Sequence, residues 1–117
     1  MNKALQRQVN TDSVEIFNTA MREYYAEQRK NGTVTKGKRL RSCCAKVYET
    51  ENFFLLQSYS TMIAAIRKRD WVCVNVMRHE YDFSYCTGAT SNQQFYKFVK
   101  DYVPFGKLAT IYTYKEV

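Results

Sequence analysis

The sequence predicts a single α+β domain, and three observations predict it. An amphipathic stretch opens the folded part, with Val14, Phe17, Met21 and Tyr24 recurring at spacings of three and four. Short apolar and β-branched runs separated by turn signals fill residues 43–77. A second helical stretch over 91–102 precedes a last β-rich run over 108–114. The order α-β-β-β-β-α-β implies an antiparallel β-meander with an N-terminal helix and a second helix before the last strand, both helices packed on one face. At 117 residues the chain buries enough surface for one core without staples, so 1–117 is read as one domain.

The elements follow in order. Residues 1–11 are polar and are expected to fray. Asp12-Ser13-Val14-Glu15 reads as a helix start, an N-cap acid with Glu three residues later. Acids toward its beginning, with Arg29 and Lys30 at its end, suit the helix dipole, and Gly32 suits a C-cap. The helix therefore covers about 12–30. Residues 32–42 hold two glycines and four cations without apolar periodicity, and read as an exposed basic loop.

A short strand is expected at 43–48 and a turn at Thr50-Glu51-Asn52. Phe53-Phe54-Leu55-Leu56 begins the next strand, which breaks at Ser58-Tyr59-Ser60. Residues 61–66 return, and Arg67-Lys68-Arg69-Asp70 forms a hairpin tip. In 71–77, Val72, Val74 and Val76 alternate with Trp71, Cys73, Asn75 and Met77, the period of a half-buried strand. A further short strand is expected near 81–85. Ser91-Asn92-Gln93-Gln94 has the form of a capping box. Phe95, Phe98, Val99 and Tyr102 share one helical face, and Pro104 and Gly106 end that helix near 102.

Charge is the strongest functional signal. The net charge is +7, and all of it lies between Glu27 and Glu49. That acid-free window carries Arg29, Lys30, Lys36, Lys38, Arg39, Arg41 and Lys46, and the remainder is neutral. Such a window makes a local positive field that attracts polyanions, of which phosphate backbones are the commonest. A second cluster, Arg67, Lys68 and Arg69, caps a hairpin. If the two shared one face, seven to ten phosphate contacts would follow, with a steep salt dependence. Membrane binding is disfavoured, because the window has no apolar face to insert.

Ten Tyr and seven Phe make stacking a second theme. Tyr48, Phe53, Phe54, Tyr59 and Tyr81 are candidates for a base-stacking platform on the sheet, with Phe53 and Phe54 better read as core. No Gly-Phe-Gly-Phe string of a strand-based RNA-binding domain is present. Metal and nucleophile chemistry are poorly supported. His79 is the single histidine, and Cys73, His79 and Cys86 lack the close ligand pairs of structural zinc sites. Adjacent Cys43 and Cys44 would point to opposite faces of a strand. No triad partner marks a Cys86–His79 pair, and there is no Gly-rich phosphate loop, so neither catalysis nor a cofactor is expected. With no apolar leader or spanning run, the chain is expected in the cytoplasm, its cysteines reduced.

Two segments resemble a large family of small, largely uncharacterised proteins of bacteriophages and mobile elements of gut bacteria. One is Ser58-Tyr59-Ser60-Thr61-Met62-Ile63-Ala64, similar to the family's Ser-Tyr-x-Thr-x-Ile/Val-Ala string. The other is Thr90-Ser91-Asn92-Gln93-Gln94-Phe95-Tyr96-Lys97-Phe98, similar to its Thr-Thr-Ser-x-His-x-x-x-Phe segment, with Gln94 where the family commonly has His. The resemblance spans about 47–103 and leaves the basic window outside it. It implies a role by binding inside a bacterial host: blocking a defence complex such as a CRISPR effector, redirecting host machinery, or coating nucleic acid.

The expectation is a non-enzymatic binding protein that engages nucleic acid, RNA before DNA, or a host ribonucleoprotein. Cations would position it on phosphates, and Tyr side chains would add stacking area. The alternative is a structural protein that oligomerises through its sheet or aromatic faces.

Overall fold

The computed structural model describes residues 2–31, 37–40, 45–76 and 91–116. Helix α1 spans Lys3–Asn31. Strands β1 (Lys38–Arg39), β2 (Ala45–Glu49), β3 (Phe53–Ser58), β4 (Thr61–Arg67) and β5 (Val72–Asn75) follow. Helix α2 (Ser91–Tyr102) and strand β6 (Thr110–Thr113) complete the fold. The six strands form one sheet in chain order, β1 to β6. The expected strand near 81–85 and the Gly32 cap lie outside the described residues, as do Lys36, Arg41, Cys43, Cys44, His79 and Cys86.

The sheet runs antiparallel from β1 to β5, and β6 joins β5 in parallel. A parallel neighbour requires a crossover, and α2 lies within it. That crossover corrects the expectation of two helices on one face. Phe53, Leu55, Ala65, Val72 and Val74 pack with Ala20, Phe17 and Met21 of α1. Val47, Leu56, Ile63, Ala64, Ile66 and Cys73 pack with Phe95 and Phe98 of α2 on the other face. The sheet is therefore the middle of three layers. This is why β5 departs from the alternation of a half-buried strand: Val72, Cys73, Val74 and Asn75 are all buried.

Helix α1 begins nine residues before the expected start. Asn2 caps it, its side-chain oxygen accepting the Leu5 N–H at 2.8 Å. The residues expected to fray are helical because their core-facing positions are polar but partnered. Gln6 and Asn10 are buried, and Ser13 is fully so, its hydroxyl donating to the Val9 carbonyl at 2.7 Å. Asp12 is thus a mid-helix residue, taking a hydrogen bond from Gln8 at 2.9 Å. Val14, expected in the core, is 38% exposed because Ser13 holds the inward position.

The 32–42 loop is also corrected in part. Lys38 and Arg39 form β1, pairing with Val47 and Lys46, and Leu40 is buried in the core on the α2 side. At α2 the helix starts and stops where the sequence placed it, but Gln94 does not turn back to cap it. Gln94 is fully buried, and neither atom of its amide has a hydrogen-bond partner among the described residues.

Candidate nucleic-acid interface

The course of α1 decides what the sheet leaves open. Its first turns lie on β6, where Gln6 donates to the Thr113 carbonyl at 3.1 Å. Asn10 donates to the Lys115 carbonyl at 2.6 Å and accepts the Lys115 N–H at 3.0 Å. Its later turns lie on β2 and the β2–β3 turn. Tyr24 meets Tyr48 edge to face, with ring centroids 5.5 Å apart. Glu23 accepts the Asn52 N–H at 3.0 Å, the Asn52 amide at 2.7 Å and the Thr50 hydroxyl. Glu27 accepts the Glu51 N–H at 2.9 Å. Helix α1 therefore crosses the sheet from β6 to β2 and, among the described residues, leaves two corners of that face uncovered, one on each flank.

The corner toward β1 and β2 is a recess of about 430 Å³. Met21, Tyr24, Tyr25 and Gln28 line it from the helix, and Gln57 and Met62 from the sheet. Lys46 stands directly across from Gln57, and Arg39 directly across from Lys46. Opposite residues of an antiparallel pair share a face, so both cations project on the recess side of the sheet. Lys38, one residue earlier, projects on the other face of the same edge. Lys38, Arg39 and Lys46 are exposed, as are Arg29 and Lys30 at the end of α1. Tyr25 and Arg29 lie four apart, on one stripe of the helix.

Burial raises the Tyr24 phenol above its ordinary value, and Tyr48 and Tyr25 add to the rise. Tyr25 packs edge to face on Tyr24 at 5.4 Å and is half exposed. The Tyr48 hydroxyl donates to Gln57 Oε1 at 3.2 Å. Gly37 permits this packing: a Cβ there would lie 2.6 Å from the Tyr48 ring. Of the expected platform, Tyr48 and Tyr59 keep accessible surface, Phe53 is buried under α1, and Tyr81 lies outside the described residues. Phe54 is half-buried on the opposite face, 5.0 Å from the Tyr102 ring.

Two members of the second basic cluster sit on the other flank of α1. Arg67 and Arg69 line the other corner, a recess of about 650 Å³, with Asp12, Glu15 and Glu23 on its helical wall. Arg67 is held by Asp70 through two bonds, 3.0 and 2.8 Å. That pair draws the Asp70 carboxyl below its ordinary value. Lys68 donates to Glu49 at 2.6 Å and to the Thr50 carbonyl at 2.9 Å, over the Phe54 ring. Arg69 is largely exposed. The structure thus puts Arg39 and Lys46 beside the first recess and Arg67 and Arg69 on the second, with Arg29 and Lys30 in the last turn of α1 and Lys68 over Phe54 on the opposite face of the sheet.

Gln28, Gln57 and Met62 belong to the recess, yet nothing in the sequence marked them. Only strand register and the crossing of α1 bring them together. Cys73 is buried on the α2 face, and burial pushes its thiol to about 12, which makes it a poor nucleophile. Among the described residues no group of His, Cys, Asp or Glu is arranged to hold a metal ion. Among them, too, no helix is long and apolar enough to cross a membrane. No protein-family model, curated protein or solved structure matches this chain.

Proposed function

We propose that this is a small basic binding protein that engages nucleic acid, RNA before DNA, either free or within a host ribonucleoprotein. The observation that carries this reading is the placement of Arg39 and Lys46 on one sheet face beside a tyrosine-lined recess. Arg29 and Lys30 stand at the adjoining helix end. Cations hold phosphates and fix position on the strand, while aromatic faces add contact area. No catalytic step is involved. Binding that masks a guide RNA or blocks a nucleic-acid channel suits an anti-defence inhibitor, the role implied by the resemblance to phage proteins. A cytoplasmic setting in the bacterial host follows from that role.

The test is a fluorescence titration with labelled single- and double-stranded RNA across salt. Four cations on phosphates predict a slope of roughly −2.8 in log K against log salt, about a fiftyfold loss between 50 and 200 mM. Changing Lys38, Arg39 and Lys46 together should abolish most of the affinity. Absence of binding at low salt, or affinity indifferent to that change, overturns the reading. The alternative, an oligomerising interaction protein, is favoured by one observation: Phe105 and Leu108 stand almost fully exposed on the α2–β6 connection. Light scattering showing a stable oligomer would support it.

A further inference from the structure

We propose that the recess between α1 and the β2–β4 corner receives an unpaired nucleobase, so that the protein selects single-stranded over duplex RNA. This rests on the binding function above and adds the form of the ligand.

Size and shape come first. The recess, about 430 Å³, lies within the roughly 300–1,000 Å³ range of small-molecule sites. Its walls are a helix and a sheet, so it is open along one side, as a flat group carried on a chain requires. A base that is paired and stacked in a duplex has both faces covered and its pairing edge taken; to insert it would first have to leave its stack, at a cost the single strand does not bear.

Chemistry agrees with shape. Tyr25 and Tyr24 offer aromatic surface from the helix, and Met21 and Met62 offer polarizable apolar contact. The Tyr48 hydroxyl occupies Gln57 Oε1, which leaves the Gln57 amide N–H groups to meet the carbonyl or ring-nitrogen acceptors of a base edge. Gln28 adds a second amide. Lys46, across from Gln57, and Arg39 beyond it lie where the phosphates of a strand threaded past the recess would run. The carboxylates of this half of α1, Glu23 and Glu27, are turned away from the recess to the β2–β3 turn and hydrogen-bonded there. Charge complementarity therefore favours an anionic chain with flat, edge-bonding groups over an acidic peptide, which lacks the latter.

The test uses the full chain and fluorescence anisotropy at low salt, with a labelled oligouridine of roughly 12 nucleotides and a blunt RNA duplex of the same length. The single strand should bind at least about tenfold tighter. Tyr25→Ala should weaken single-strand binding about fivefold to a hundredfold and leave duplex binding unchanged. Tyr25→Phe, which keeps the ring, should restore it. Tyr25 is half exposed, so both variants should melt close to the parent chain. Equal affinity for strand and duplex overturns the inference, as does a Tyr25→Ala loss shared by both ligands, while the cation dependence still upholds the broader function. Absence of binding to either RNA overturns both.

Discussion

Glu23 is the joint between the helix and the sheet, and Glu23→Gln isolates its contribution. Its two oxygens accept three hydrogen bonds from Thr50 and Asn52, and all three donors belong to the turn that starts β3. An amide has one accepting oxygen, so Gln can keep the Thr50 hydroxyl and the Asn52 N–H only as neutral bonds, and its NH2 group meets the Asn52 amide donor unless that amide turns over. The charge assistance of all three bonds is lost. Bonds to charged groups contribute about 1.5–3 kcal/mol each, and this site is only partly buried. The expected loss is therefore about 1–3 kcal/mol, or a fall in Tm of roughly 3–15 °C for a chain of this size.

The pH dependence gives a second reading of the same joint. Burial raises the Glu23 carboxyl, but the bonds from Thr50 and Asn52 and the charge of Lys68 outweigh it, leaving it below its usual 4.5. A carboxylate depressed in the folded state adds stability that is complete above its unfolded value and lost as pH falls through the folded one. Thermal melts by circular dichroism between pH 7 and pH 3 check both points. The parent chain should lose stability below about pH 4.5, and Glu23→Gln should start lower and fall less steeply. Equal Tm at pH 7 together with an unchanged acid slope would refute the assignment of this contact as the helix anchor.

Three further outcomes are expected. Gln94→Leu removes a buried amide without a partner among the described residues and should raise stability by about 1–3 kcal/mol in chemical denaturation; a fall would show that the amide is satisfied. Gly37→Ala drives a methyl into the Tyr48 ring and should cost about 1–3 kcal/mol while weakening RNA binding, since Tyr48 orients Gln57. Replacing Gln6 and Asn10 together by Ala should lower Tm and produce concentration-dependent association by light scattering, because it uncovers the outer edge of β6.

The sequence and the structure agree where a signal is local. Thr50-Glu51-Asn52, Ser58-Tyr59-Ser60 and the Arg67 to Asp70 tip each break the chain where the sheet turns, because short polar segments end apolar runs whatever lies across from them. Residues 91–102 form a helix because their apolar spacing and the following Pro104 act within a few turns. The start of α1 was hidden for the opposite reason. Gln6 and Asn10 face inward, and amides carry no apolar period; their partners are main-chain groups more than a hundred positions away. The parallel joining of β6 is equally non-local, since nothing within 108–114 records the direction of its neighbour. The same limit applies to the site. The cations were visible as a run of charge, but their division into a group beside the recess and a group held by Asp70 and Glu49 depends on which face of the sheet and which flank of α1 each occupies.

The two edges of the sheet show how the charges bear on the choice between binding and self-association. At β6, Thr110 and Tyr114 bond inward to β5, so the backbone of Thr113 and Lys115 faces outward, and the amides of Gln6 and Asn10 occupy it. At β1 the strand is two residues long and both are cations. Short length and charge deter strand addition as effectively as a cover does. Lys38 and Arg39 therefore have two effects, keeping the edge from pairing and offering charge to a polyanion. Removing them to Ala alters both at once, and a loss of RNA binding could then reflect self-association. Lys38→Glu with Arg39→Glu separates the effects. The edge stays charged and should stay monomeric, while the attraction to phosphate reverses. A monomer that no longer binds RNA assigns the loss to phosphate contact, and a monomer that binds unchanged moves the interface away from this edge.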